Sequence, residues 1–292
     1  MQIVRFIRFG RVRDEGTGAG PGAAARARGL AALSVLGLLA AGCGVVRGED
    51  LLDNEPAGPP VAAPDAGALL SQARMLERQH ARQVAAAKRY GLAGVPLNRP
   101  RPPAFKPFLT TEPRLSRGRG VGLPAVISRV PTRAKVVFLT VDDTQAKDPE
   151  FVRMMRELDV PYSAFPLLRR PALPRLTPAA QRAAICGRQD MRKPAAGQDP
   201  RLFRPPFGAY SLVTLRMAAV CGVKAVPLWS EVAFPDRIAY RDRDHRLHPG
   251  DIILTRPEAG RDRHPSLPEA ALRVLRTARE HGFAVGWLGD YV

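Results

Sequence analysis

Apolar positions in the second half of the chain follow two alternating patterns, which predict strands and helices in turn. Residues 136–141 form a continuous apolar and β-branched run, typical of a strand buried on both faces. Residues 149–158 follow with helical spacing and with Pro149 in the first turn. Residues 160–165 are a second short strand. Strand, helix and strand in this order indicate a parallel α/β unit.

The same order continues to the end of the chain. Thr177 followed by proline begins one helix, and Gly222 ends another. Further strands are predicted over residues 202–204, 224–228, 251–255 and 284–288, and further helices over residues 177–192, 211–221 and 266–281. The fold class is therefore α/β, either a small or incomplete barrel or an open sheet.

The N-terminal part is typical of an export signal. Residues 1–29 are basic, residues 30–42 carry no charge, and Cys43 follows small residues. Thirteen apolar residues are too few for a mature membrane-spanning helix. The run before Cys43 resembles a bacterial lipobox, so we expect residues 1–42 to be a lipoprotein signal peptide and Cys43 to carry the lipid. An ordinary signal peptide or a single anchor helix remains the alternative.

Composition divides the rest of the chain into four parts. Residues 43–66 are polar and rich in proline, as expected of a flexible tether. Residues 67–91 have helical spacing, whereas prolines in residues 92–131 predict an extended connector. The domain then covers residues 132–292, and we expect the protein to be a monomer anchored on the outer face of the cell membrane.

The formal net charge of +18 invites a nucleic-acid interpretation, which the composition weakens. Only six of the 45 basic residues are lysine, which indicates an arginine-rich coding bias. The sequence contains no zinc-finger spacing and no recognition-helix pattern. The excess charge is spread over signal, tether and domain, so we expect no nucleic-acid partner.

Candidate chemistry lies where predicted strands end. Asp142 and Asp143 follow a buried strand, which is where α/β folds place catalytic and ligand groups. One carboxylate could bind a metal while the other acts as a base, or the pair could simply cap the next helix. Residues 204–208 (RPPFG) form a rigid turn in which Arg204 could fix one carboxylate. This turn could equally be structural.

Cys186 and Cys221 are the two remaining cysteines, and neither lies in a CxxC motif or a Cys/His cluster. In an exported protein such a pair favours a disulfide over a metal site. Two buried free thiols are the alternative.

Residues 135–143 and residues 204–208 together resemble the polysaccharide deacetylase (NodB homology domain) family, whose motifs are Thr-Phe-Asp-Asp-Gly and Arg-Pro-Pro-Tyr-Gly. The resemblance covers about residues 135–292 and implies a distorted (β/α) barrel, here incomplete, preceded by a helix and a Pro-rich arm. It also implies hydrolysis of N-acetyl groups on cell-surface glycans with a divalent metal of the zinc type. By this resemblance Asp142 is the general base and Asp143 the metal ligand. Arg204 then holds Asp142, and the amide near Phe207 binds the oxyanion.

Several features depart from the family pattern. The His-x-x-x-His pair that supplies metal ligands is absent, because no histidine lies between His80 and His245. Arg256 occupies the position of the acid histidine, and arginine keeps its proton near neutral pH. Thr144 replaces the glycine after the Asp pair, and the eleven residues after Phe165 are too few for the family's helix and strand.

Two functions follow from these departures. The first is a cell-envelope lipoprotein of the deacetylase type with impaired or lost activity. The second is a non-catalytic relative that binds peptidoglycan or another envelope polysaccharide.

Overall fold

The computed structural model describes most of the chain from residue 66 onwards. The described residues are 66–113, 116, 122–142, 148–165, 173–189, 199–258 and 266–292. Cys43 and Asp143 lie outside them. None of the helices in this part of the chain combines the length and the apolar character needed to span a bilayer.

A long N-terminal helix, α1 (Ala66–Arg89), precedes the domain. It contains no proline, and its only glycine, Gly67, lies at its start. The following connector runs along the domain, where the Lys106 ammonium donates to the carbonyls of Gly289 (2.8 Å) and Val292 (2.6 Å). The predicted N-terminal helix and Pro-rich arm are therefore both present.

The main sheet is built around a buried, mostly apolar strand. β2 (Val136–Asp142) pairs in parallel with three strands, and its residues are buried up to Val141. The sheet order is β3-β2-β7-β5-β6, with β8 also paired to β2 and β6 antiparallel to β5. The bounds are β3 (Ser163–Phe165), β5 (Glu231–Ala233), β6 (Ile238–Tyr240), β7 (Ile252–Thr255) and β8 (Ala284–Val285).

A second, two-stranded sheet lies beside the first. β1 (Ala125–Ile127) pairs in parallel with β4 (Ala225–Pro227), and Leu202 adds a single bridge to Ala225. Among the described residues the two sheets do not close into one barrel. The predicted α/β class with an incomplete barrel is confirmed.

In the described part of the chain four helices cover the sheets, and a side-chain cap fixes where each begins. Asp148, Thr177, Ser211 and Ser266 each accept a hydrogen bond from a backbone N–H of the first helical turn. The helices are α2 (Pro149–Glu157), α3 (Pro178–Gln189), α4 (Leu212–Val220) and α5 (Leu267–Glu280).

The core consists of three apolar clusters separated by the strands. Val137, Leu139 and Val141 of β2 face the cluster that includes α2 and α5. Phe138 faces the opposite way, into a cluster that Tyr291 closes with an edge-on ring contact of 5.0 Å. The alternation of side chains along β2 thus places Asp142 on the face opposite α2 and α5, together with Phe138.

Three details differ from the sequence-based expectations. Residues 202–204 form an isolated bridge rather than a strand, because only Leu202 reaches its neighbour. Strand β1 lies within the Pro-rich connector, and the β5–β6 hairpin was not predicted.

Candidate functional site

Asp142 is the last residue of β2 and lies opposite Phe165 in the parallel ladder with β3. Its backbone is therefore fixed by the sheet, and its side chain is half-buried at the carboxyl edge. The cap of α2 is Asp148, whose Oδ1 accepts from the backbone N–H of Glu150 (2.9 Å) and Phe151 (3.1 Å). Helix capping therefore does not explain Asp142, which leaves its carboxylate available at the edge of the sheet.

Arg204 is buried beneath this edge and binds both sheets. Its guanidinium donates to the Thr140 hydroxyl (2.9 Å) and to the carbonyls of Pro227 (2.9 Å) and Leu228 (3.1 Å). It also lies 4.0 Å from the centre of the Phe165 ring. Arg204 thus joins the C-terminal end of β2 to the end of β4.

Arg204 and Asp142 interact through charge rather than through a direct bond. Every hydrogen bond that the described residues give Arg204 goes to the three partners above, and none goes to Asp142. Burial lowers the pKa of Arg204 to about 10, and the charge of Asp142 opposes this shift. The predicted role of Arg204 in holding Asp142 stays a prediction.

Phe207 occupies the turn that follows Arg204. Its backbone has φ 55° and ψ 19°, in the left-handed region that residues other than glycine seldom adopt. Gly208 is also left-handed, and a Cβ there would come 3.4 Å from the Trp229 ring. The Phe207 ring is 67% exposed. Strained backbone of this kind is concentrated at functional sites, and here it presents an aromatic ring to solvent.

Arg256 follows β7 and lies at the same edge. Its guanidinium binds Glu258 twice, Nε to Oε2 at 3.1 Å and Nη2 to Oε1 at 2.8 Å. Hydrogen bonding to Glu258 raises the pKa of Arg256, and the charge of Asp142 raises it further. The same pair lowers the pKa of Glu258. Glu258 therefore holds the charged Arg256 in place, and Arg256 is close enough to Asp142 for their charges to interact.

A catalytic metal does not fit the side chains described around Asp142. Zinc enzymes use three protein ligands and an open position, and the described part of the chain contains no group of three histidine, cysteine or acidic residues that could hold a metal ion. Arg204 and Arg256 add positive charge instead. Asp143, the predicted metal ligand, lies outside the described residues.

Cys186 and Cys221 form a disulfide that links α3 to the end of α4. Because residues 204–208 lie between the two cysteines, the bridge closes a loop of chain around the RPPFG turn. It thereby restrains the helices that flank this turn.

The sequence analysis did not predict a buried cluster of acidic residues, which lies at the amino ends of β5 and β7. Asp251 precedes β7 and accepts from Arg129 (2.5 Å), from the Ser230 hydroxyl (2.9 Å) and from the His248 N–H (2.6 Å). Glu231 begins β5, is fully buried, and accepts from the backbone of Arg241 at 3.0 Å. Burial, followed by the charge of Asp251, raises the pKa of Glu231 to about 8.

Sequence reasoning also missed three partners of the site: Thr140, Phe165 and Glu258. Thr140 lies two residues before Asp142 and so faces the same side of β2, which is a usable signal. Glu258 lies two residues after Arg256, but residues so spaced meet only in particular turns. Phe165 gave no signal, because strand neighbours cannot be read from one sequence.

Comparison with known proteins agrees with this arrangement. A polysaccharide deacetylase family model matches residues 168–226, which include the RPPFG turn and end within β4. The uncharacterized protein SCO4760 of Streptomyces coelicolor is 37% identical over 219 residues, covering 65% of this chain and 86% of that protein.

Two solved structures are also similar. One is BA3943, a CE4 family pseudoenzyme from Bacillus anthracis, with 21% identity over 57% of this chain and 69% of that chain and a TM-score of 0.45. The other is the Bc1960 peptidoglycan N-acetylglucosamine deacetylase, with 18% identity over 58% and 92% of the two chains and a TM-score of 0.46.

The fold and the site define an α/β protein with an incomplete barrel and a carboxylate at the end of its central strand. The chain belongs to the polysaccharide deacetylase family, as a divergent member.

Proposed function

We propose that this chain is a non-catalytic member of its family that binds a cell-wall glycan at the carboxyl edge of the main sheet. The observation that carries the proposal is the pairing of Arg256 with Glu258 beside Asp142. Arginine cannot serve as a general acid near neutral pH, and its charge repels a metal cation. The geometry thus supports binding better than metal-dependent hydrolysis.

The same edge offers groups that suit a sugar chain. The Phe207 ring is exposed and can pack against the apolar face of a pyranose. The Asp142 carboxylate accepts hydrogen bonds from hydroxyl or amide groups. Arg204, buried below, keeps the edge rigid rather than contacting the glycan. The excess of arginine in the whole protein also favours binding of an anionic polymer.

The test compares two exposed phenylalanines. Phe207→Ala is expected to weaken binding to purified peptidoglycan fragments about tenfold, because it removes the ring at the site. Phe108→Ala removes a ring that is 88% exposed in the connector, and it is expected to leave binding unchanged. Calorimetric titration of both variants measures the difference. Equal affinities would place the glycan elsewhere.

The second candidate is an impaired hydrolase, which the retained Asp142 and RPPFG turn favour. Acetate release from acetylated chito-oligomers, measured with and without added zinc, separates the two. We expect no metal-dependent release. Release together with near-stoichiometric bound metal would reject the non-catalytic proposal.

We further propose that the mature protein is a lipoprotein of the cell envelope. The support is the basic stretch, the apolar run and the Cys43 context in the sequence. Cys43→Ala is expected to prevent lipid attachment, so the lipid mass on the N-terminal peptide should disappear in mass spectrometry of the membrane fraction. An unmodified N-terminal peptide in the unsubstituted protein would contradict the proposal.

A further inference from the structure

Helix α1 presents most of its length to solvent. Residues 67–82 are all exposed, including four large apolar side chains that soluble domains normally cover. These are Leu69 (51% exposed), Leu70 (61%), Met75 (63%) and Leu76 (57%). The stretch is sixteen residues long, which corresponds to about 24 Å of helix.

The C-terminal part of α1 is attached to the domain, beginning at Gln79, whose side-chain amide donates to Asp159 at 3.3 Å. Ala86 and Ala87 are buried there. Arg89 binds Glu157 at 2.8 Å, and the side chain of Gln83 lies 3.4 Å from Asp159. The rest of the helix therefore extends beyond this contact as a preformed, largely uncovered surface.

This exposed surface has an apolar stripe and a basic side. At 100° per residue, Leu69, Ala73 and Leu76 fall on the stripe, and Leu70 and Met75 lie to either side of it. Arg74, Arg78 and Arg82 fall on the opposite side. Across residues 67–89 the helix carries five basic residues and a single acidic one, Glu77.

We propose that α1 lies on the surface of an anionic lipid bilayer. A soluble polyanion would match the arginines but would leave the leucines exposed. A second copy of the helix would cover the leucines but would bring together two helices of the same strong positive charge. An anionic bilayer supplies both an apolar layer and negative headgroups, the combination that basic amphipathic helices bind.

The position of α1 in the chain supports this partner. Cys43, the predicted lipid attachment point, lies 23 residues before Ala66. The residues between them have the composition of a tether, and a random-coil chain of that length has a root-mean-square span of about 25 Å, so a lipid at Cys43 would keep α1 near the membrane. The proposal does not depend on the glycan site, and its test is independent of glycan binding.

The experiment measures hydrogen–deuterium exchange of α1 in the purified full chain. Vesicles of phosphatidylglycerol mixed with phosphatidylcholine are expected to slow exchange over residues 67–82 at least tenfold. Vesicles of phosphatidylcholine alone are expected to have little effect, and high salt should reverse the protection.

Two triple variants give a matched comparison in the same full chain. Arg74→Gln, Arg78→Gln and Arg82→Gln together are expected to lower the affinity for the anionic vesicles at least tenfold. The control removes three exposed arginines elsewhere, with Arg216→Gln, Arg243→Gln and Arg246→Gln. Both variants keep residues 30–42, so any insertion of that apolar run contributes equally.

Three outcomes would overturn the proposal. The first is unchanged exchange of α1 with anionic vesicles, and the second is equal loss of affinity in the two triple variants. The third is protection that grows with protein concentration in the absence of lipid, which would indicate a second copy as the partner. Protection that requires anionic vesicles and is lost only in the α1 variant supports it.

Discussion

At the scale of single residues, the two ends of the central strands carry opposite electrostatic conditions. At the carboxyl edge, Asp142 interacts through its charge with both Arg204 and Arg256. At the amino end, Glu231 and Asp251 are both fully buried, although Arg129 and Arg241 lie nearby. In the second arrangement, burial makes the ionised form of Glu231 costly.

The buried Glu231 carboxyl should make stability fall as the pH rises. Its pKa is about 8 in the folded protein and near 4.5 when exposed. Below pH 4.5 the carboxyl is therefore neutral in both the folded and the unfolded chain, and its ionisation does not lower the stability. Between these values the unfolded chain releases the proton first, and the free energy of unfolding declines until about pH 8. Glu231→Gln is expected to remove a decline of about 5 kcal/mol.

Urea unfolding at a series of pH values measures this effect. The control is Asp236→Asn, which should keep the decline, because Asp236 is only partly buried and pairs with its exposed neighbour Arg237. If the free energy of unfolding changes with pH in the same way in Glu231→Gln and in the unsubstituted protein, the ionisation of Glu231 does not destabilise the fold.

At the scale of elements, long apolar runs and helix caps were predictable, whereas short strands were not. Residues 136–141 identified β2, and Pro149 and Ser211 marked where α2 and α4 begin. β1 and β5 have three residues each, too few for an alternating pattern to stand out from its surroundings. β5 also begins with the buried acid Glu231, and burial of that side chain depends on partners remote in sequence.

The disulfide between α3 and α4 should contribute strongly to stability. It closes a loop with a sequence separation of 35 residues, for which loss of chain entropy in the unfolded state predicts about 4 kcal/mol. Replacing both Cys186 and Cys221 with alanine is therefore expected to lower the free energy of unfolding by roughly this amount.

Denaturant titration under non-reducing conditions compares the two proteins. The unsubstituted protein treated with reductant should approach the stability of the double variant. If the double variant unfolds at the same denaturant concentration as the oxidised protein, the bridge adds nothing to the folded state.

At the scale of the whole molecule, the sequence indicated the class and the edge of the sheet that carries the site, but not how the sheets meet. An incomplete barrel follows from strand order and from the short segment after Phe165. The separation into two sheets depends on pairings such as β1 with β4, which are a hundred residues apart in sequence. Arg204 bridges these sheets through hydrogen bonds that its motif alone could not reveal.

The pairing of β2 also bears on how the chain reaches its native state. The Thr140 hydroxyl bonds the carbonyl of Ile253, 113 residues later, so β2 gains its β7 neighbour only when nearly the whole domain has been synthesised. Such distant contacts make folding slow, and an unpaired apolar strand can associate with other chains in the meantime. Dilute refolding and a chaperone that shields β2 should therefore raise the yield of native protein.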